Sequence, residues 1–132
     1  MITPSSPLRR RSPLRVLLVE DAPLHQKLAT TLLQRQGHCV TLSQNGREAV
    51  DLLENERFDL VLMDVEMPVM DGLAATSVNR NRESKHGGHT AIVAVTSSSG
   101  PDECLAAGMD AYIAKPLRVE AFDQTVQRVL GV

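Results

Sequence analysis

"DLVLMDVEMPVMDG", Asp59 to Gly72, is the stretch on which the fold turns. Four consecutive apolar residues, Leu60 to Met63, run straight into the carboxylate of Asp64. A second acid follows at Glu66, then Pro68, Asp71 and Gly72, which read as a tight turn opening into a helix. A short apolar run without alternation suits a strand buried on both faces, as in a parallel sheet. A charge left unpaired inside such a sheet is costly or neutralises itself. Asp64 therefore has a partner, or it stands at an opening and does chemistry there.

The same alternation of apolar run and helical period extends in both directions. "RVLLVED" carries Val16 to Val19 and "TAIVAVT" carries Ala91 to Val95, both without polar interruption. "HCVTLS" is a weaker strand at Cys39 to Leu42, and "DAYIAK" a short one at Ala111 to Ile113. Between them Leu24, Leu28 and Leu32 recur every four residues, which predicts a helix with one apolar stripe. Asn45 before "GREAVDLLENE" predicts a capped amphipathic helix with Ala49, Leu52 and Leu53 inward. Asp71 predicts a cap for a shorter helix from Gly72 to about Asn79, with Gly72 allowing close packing or a positive φ. "NRNRESKHGGH" then reads as a long polar loop. A further helix starts at Ser99 or Pro101 and ends at Gly108, and the last runs from about Arg118 with Phe122, Val126, Val129 and Leu130 on one face. Five strands and five helices in strict alternation predict an α/β fold: a doubly wound parallel sheet with right-handed crossovers and helices on both faces.

Composition narrows the function. The chain has 132 residues, 42% apolar and 23% charged, which fits one domain over residues 14–132. Residues 1–13 hold three prolines, three serines and the run Arg9 to Arg11, and read as a flexible tail or linker. A formal net charge of −2 and only three aromatic residues argue against direct nucleic-acid binding. No apolar run reaches the ~18 residues of a membrane span, and the N-terminus lacks the apolar core of a secretory signal. Cys39 and Cys104 are read as buried free thiols, which fits a cytoplasmic location.

In a parallel sheet the carboxyl ends of all strands share one edge, and ligands bind there where the strand order reverses. The first strand ends in Glu20 and Asp21, the third in Asp64, the fourth in Thr96, and the fifth is followed by Lys115 and Pro116. Crowded carboxylates raise one another's pKa and call for positive charge, which Lys115 and a divalent cation would supply. Oxygen ligands without His or Cys select Mg²⁺ or Mn²⁺ over zinc. A carboxylate, a metal, a lysine and a hydroxyl around one point suit phosphoryl transfer, with Asp as a nucleophile forming an acyl phosphate.

Four motifs, "VLLVED", "DLVLMDVEMPVMDG", "AVTS" and "AGMDAYIAKP", in this order over Leu14 to Leu130, strongly resemble the receiver domain of two-component response regulators, most of all the receivers of hybrid sensor histidine kinases. The resemblance implies a flavodoxin-like sheet in the order 2-1-3-4-5. It implies that Asp64 is the phosphoacceptor for a partner phosphohistidine. Asp21 and Asp64 would hold Mg²⁺ with the backbone carbonyl of Glu66, and Glu20 through a metal-bound water. Lys115 would pair with one phosphoryl oxygen and Thr96 with another, Tyr112 would be the aromatic switch, and the Lys115–Pro116 bond would be cis. Such a domain catalyses its own phosphorylation and dephosphorylation and works with a histidine kinase or histidine phosphotransfer domain. It is expected as a monomer making no membrane contact of its own, either a stand-alone regulator or a receiver from the cytoplasmic part of a hybrid kinase.

One departure is Ala22, where hybrid receivers often have Asn after "VED". Glu66 and Ser98, two residues beyond Asp64 and Thr96, stand where the family tunes dephosphorylation. Taken singly, these residues have plainer readings: Lys115 a solvated lysine, Thr96 a turn hydroxyl, Tyr112 an edge-packed aromatic. Met63, Met67 and Met70 read as filler, His86 and His89 as a solvated loop rather than a metal pair, and His25 as a surface residue. Aspartate-based phosphohydrolases are the rival enzyme class. They resemble Asp-x-Asp, whereas this chain reads Asp64-Val65-Glu66, and they usually carry a cap domain for which 132 residues leave no room. A degenerate receiver serving only as a scaffold is opposed by the intact acidic pair with Asp64, Thr96 and Lys115.

Overall fold

The computed structural model describes residues 13–67, 69–97 and 100–131. The expected tail over residues 1–13 lies outside these but for Pro13, as do Pro68, Ser98 and the alternative helix start at Ser99. Along the chain run β1 (Arg15–Val19), α1 (Pro23–Arg35), β2 (Cys39–Ser43), α2 (Gly46–Asn55) and β3 (Leu60–Asp64). Then come α3 (Gly72–His86), β4 (Ala91–Thr96), α4 (Pro101–Ala106), β5 (Ala111–Ala114) and α5 (Val119–Leu130). The five strands are all parallel, in the order β2-β1-β3-β4-β5.

Strand alternation divides the core in two. Val16 and Leu18 of β1, Leu60 and Leu62 of β3 and Val93 of β4 meet Leu33 of α1 and Phe122 and Val126 of α5 on one face. Leu17, Val19, Val61, Met63 and Ile92 meet Ala49 and Leu53 of α2, Ala75 of α3 and Cys104 of α4 on the other. Every residue of β3 and β4 is buried, as continuous apolar runs between two helical layers require. The expected caps are in place: the Asn45 side chain accepts from the Glu48 N–H at 2.9 Å and Asp71 from the Ala74 N–H at 2.8 Å. Among the described residues no helix is long and apolar enough to cross a membrane.

The leucine stripe of α1 meets the core only through Leu32: Leu24 and Leu28 are 65% and 58% exposed, and Ala29 and Leu33 are the buried residues. A strict four-residue spacing drifts by about 40° per step on a helix of 3.6 residues per turn, so the stripe winds across the helix surface. Two expectations are corrected. Cys39 is exposed while Cys104 is buried, because Cys39 opens the edge strand β2, which is covered less than the central strands. The polar segment after Asn79 is helix rather than loop: α3 continues to His86 and stops at Gly87, whose φ is 87°. Its inward residues, Thr76, Asn79 and Glu83, are buried and polar, so no apolar period marks them. Arg80 anchors this half of α3 through Nε to the Gly108 carbonyl (2.8 Å), Nη1 to Glu83 (2.6 Å) and the Thr90 carbonyl (2.9 Å), and Nη2 to Asp110 (2.9 Å).

Candidate functional site

The carboxyl ends of β1, β3, β4 and β5 bring Glu20, Asp21, Asp64, Thr96 and Lys115 to one edge of the sheet, beside the reversal of strand order between β1 and β3. β3 pairs with β1 on one side and β4 on the other, which places Asp64 at the centre of that edge. Gly72 fixes what lies behind it. A Cβ there would collide with the Asp64 carbonyl oxygen and the Met63 side chain, and the Gly72 N–H donates to the Val65 carbonyl at 3.0 Å. Gly72 therefore serves close packing, and α3 starts pressed against the end of β3. The intervening turn passes through Val69 at a φ of 70°, a left-handed conformation that a β-branched residue rarely adopts.

Asp64 is 3% exposed, and its Oδ1 lies 3.2 Å from Lys115 Nζ and accepts from the Glu66 N–H at 3.2 Å. The same ammonium lies 3.6 Å from Glu20 Oε1. Glu20 is also buried; its Oε2 accepts from the Ala22 N–H at 3.1 Å and stands 3.7 Å from Nδ1 of His25. One oxygen from each of Glu20, Asp21 and Asp64 lies within 4.8 Å of the others. Burial, and then the negative charge of Glu20, push the Asp64 carboxyl up from 3.8 to about 6, against the lowering pull of Lys115. One ammonium does not neutralise three carboxylates, and an all-oxygen donor set fits a hard divalent cation such as Mg²⁺.

Thr96 is buried at the end of β4, and its hydroxyl donates to the Glu66 carboxylate, 3.2 Å from Oε2 and 3.4 Å from Oε1. The Lys115 N–H donates to the Thr96 carbonyl at 3.0 Å, tying the two strand ends together, and the Lys115–Pro116 peptide is cis. Tyr112 stands on β5 opposite Ala94 and is 45% exposed. A groove of about 540 Å³ opens from Asp64 and Lys115 along His25, Leu28 and Leu32 of α1 and Pro116 and Leu117. All the residues singled out at the strand ends are thus brought to one edge, while Tyr112 lies beside it on the surface. His86 and His89 lie at the opposite edge, where His89 Nε2 is 2.7 Å from Asp110. Sequence reasoning missed the bond between the Glu66 side chain and Thr96, which spans 30 residues, and the reach of His25 toward Glu20.

The family model for the response regulator receiver domain matches residues 16–127. The chain belongs to that family. It is 40% identical to the sensor histidine kinase GacS of Pseudomonas protegens, in an alignment that covers 98% of this chain and 14% of that kinase. Against other histidine kinases, from Dictyostelium discoideum and Oryza sativa, it spans 6% and 15% of their lengths. Among solved structures, the receiver domain of the sensor histidine kinase PA1611 of Pseudomonas aeruginosa, with a magnesium ion coordinated in its active-site cleft, superposes with a TM-score of 0.82. The two are 38% identical over 92% of this chain and 100% of that one. The Saccharomyces cerevisiae receiver domain of Ssk1, solved with the histidine phosphotransfer protein Ypd1, is represented by a match with a TM-score of 0.82, 26% identity and coverage of 89% of this chain and 88% of that one.

Proposed function

We propose that Asp64 accepts a phosphoryl group from a phosphohistidine on a histidine kinase or histidine phosphotransfer partner. The observation that carries this reading is the convergence of Lys115 Nζ, 3.2 Å away, and the carboxylates of Glu20 and Asp21 on the buried Asp64. An Asp64 oxygen forms a bond to phosphorus as the bond from phosphorus to the donor imidazole nitrogen breaks, and that nitrogen keeps the electron pair. Lys115 stays beside Asp64 and takes one phosphoryl oxygen, and Thr96 donates to another. Glu20, Asp21 and Asp64, with the Glu66 carbonyl, would hold Mg²⁺. When bound, the ion neutralises charge that would otherwise repel the phosphoryl group. Thr96 and Tyr112 then act as the switch, shifting the population between two packings of the α4, β5 and α5 surface.

Incubation with acetyl phosphate and Mg²⁺ is expected to add one phosphoryl group per chain by intact-protein mass spectrometry. The product should be cleaved by hydroxylamine, as an acyl phosphate is, and labelling should fall by about tenfold or more when EDTA removes the metal. A chain that takes up no phosphate, or whose label survives hydroxylamine, refutes the reading.

The partner docks on α1 in this reading. Leu24 and Leu28 stand exposed next to the groove that leads to Asp64, an apolar surface that the domain's own core does not use. The receiver of Ssk1 forms a complex with Ypd1. Leu28→Asp is expected to slow transfer from a phosphorylated histidine phosphotransfer domain by about tenfold or more, with acetyl phosphate labelling unchanged. Equal transfer rates for variant and wild type place the docking face elsewhere.

A further inference from the structure

We infer that the Glu66 side chain is a latch on the switch: it holds the Thr96 hydroxyl in the unphosphorylated state, and phosphorylation proceeds to the switched state only as Thr96 exchanges this carboxylate for a phosphoryl oxygen. The inference deepens the proposed function and rests on Asp64 being the phosphoacceptor.

Two bonds of Glu66 make the argument. Its N–H donates to Asp64 Oδ1 at 3.2 Å, so the residue is fixed to the carboxylate that would receive the phosphoryl group. Its side chain reaches the other way and accepts from Thr96 Oγ1 at 3.2 Å, with the second oxygen at 3.4 Å. A threonine hydroxyl has one proton to donate. At 3.2–3.4 Å the contact is longer than the roughly 2.5–2.7 Å of a strong hydroxyl–carboxylate bond, so the hold is a weak one, but Thr96 is buried, where water competes poorly for that proton. A phosphoryl group on Asp64 must therefore compete with a carboxylate for the same donor. Its own negative charge also repels that carboxylate, so arrival of the phosphoryl group both offers Thr96 a new acceptor and weakens the hold of the old one.

The position of Glu66 suits this role. It is exposed in the β3–α3 turn, so its side chain has water to move into once released. Its backbone is bonded to Asp64 and its side chain to Thr96 at the end of β4, so the phosphoacceptor and β4 are joined through one residue. The Glu66 side chain touches Thr96 rather than the reacting atoms, and in this role it is a positioning group.

The test is a double-mutant cycle with beryllofluoride as the phosphoryl mimic, at saturating Mg²⁺, followed by ¹H–¹⁵N NMR on wild type, Glu66→Ala, Glu66→Gln, Thr96→Ala and Glu66→Ala/Thr96→Ala. Glu66→Ala is expected to bind beryllofluoride about threefold more tightly than wild type, the loss of one long, weak hydrogen bond from the free state. Glu66→Gln, which keeps an acceptor oxygen but not the charge, should fall between the two. Without beryllofluoride, the Thr96 amide and those of α4 in Glu66→Ala should already shift toward their positions in the beryllofluoride-bound wild type. In the Thr96→Ala background, Glu66→Ala should add nothing. The latch is overturned if Glu66→Ala binds no tighter, or if its gain persists without the Thr96 hydroxyl, which would make the effect one of charge through space. Failure of the wild type to bind beryllofluoride at all overturns the phosphoacceptor reading itself, and the latch with it.

Discussion

Asp64→Asn should abolish phosphoryl uptake from acetyl phosphate and at the same time make the domain more stable. The first effect follows from the amide having no nucleophilic oxygen at the centre of the edge. The second follows from burial. The folded state raises the Asp64 carboxyl from 3.8 to about 6, so at neutral pH the domain bears the cost of an ionised group it disfavours. At ~1.4 kcal/mol per pKa unit, that rise corresponds to about 3 kcal/mol. A raised carboxyl binds its proton more tightly folded than unfolded. The cost is therefore fully present above about pH 6 and disappears as the pH falls toward 3.8. In EDTA at pH 7.5, Asp64→Asn is expected to raise Tm by on the order of 5–10 °C, and at pH 4 the gap should close. Mg²⁺ should narrow it from the other side, because a cation held by three carboxylates binds and stabilises the wild type more. Scanning calorimetry of both proteins across pH, with and without Mg²⁺, checks all of this. An Asn variant no more stable than wild type at pH 7.5 in EDTA would mean that Lys115 already compensates the buried charge. Equal mass gains in the two proteins would remove Asp64 from the chemistry.

The edge could be read from the sequence because its residues stand directly at the ends of apolar runs. Leu60 to Met63 is an unambiguous buried strand, and a parallel sheet sends the residue after it, Asp64, to the same edge as Glu20, Asp21, Thr96 and Lys115. Local signals of the same kind marked Asp71 and Asn45, whose side chains cap the helices that follow them. What stayed hidden depends on partners distant in the chain. The second half of α3 carries no apolar period because its inward face is Asn79 and Glu83, satisfied by Arg80, Arg82 and the Thr90 N–H. The leucines of α1 look like core because spacing alone does not say which side of a helix meets the sheet. Cys39 looks buried until its strand is known to be an edge. The Glu66 side chain is silent for the same reason, since its partner Thr96 comes from another strand.

Arg80→Ala should be among the most damaging substitutions outside the apolar core. It would remove four hydrogen bonds at the amino-terminal edge of the sheet, two to the carbonyls of Gly108 and Thr90 and two to the carboxylates of Glu83 and Asp110. Glu83 is buried, and removing the cation from a buried pair typically costs about 3–5 kcal/mol because the remaining charge is left uncompensated. With Arg80 only partly buried, a loss near ~3 kcal/mol is expected. The pH dependence separates charge from packing. Burial pushes the Glu83 carboxyl up, but the Thr90 N–H, the Arg80 guanidinium and the Asn79 amide together hold it below its ordinary 4.5. A carboxyl lowered by folding contributes stability that is fully present above 4.5 and is lost as the pH falls through its folded value. The gap between wild type and Arg80→Ala in urea unfolding should therefore be widest at pH 7 and shrink in acid, as Glu83 takes up its proton in both. A gap of the same size at both ends would mean that Arg80 acts through its aliphatic stem against Gly108, which a Cβ on that glycine would also contact. Because this cluster lies at the opposite edge of the sheet from Asp64, the folded fraction of Arg80→Ala should still take up phosphate at the wild-type rate. Stability and phosphoryl chemistry would then respond to different substitutions within one sheet.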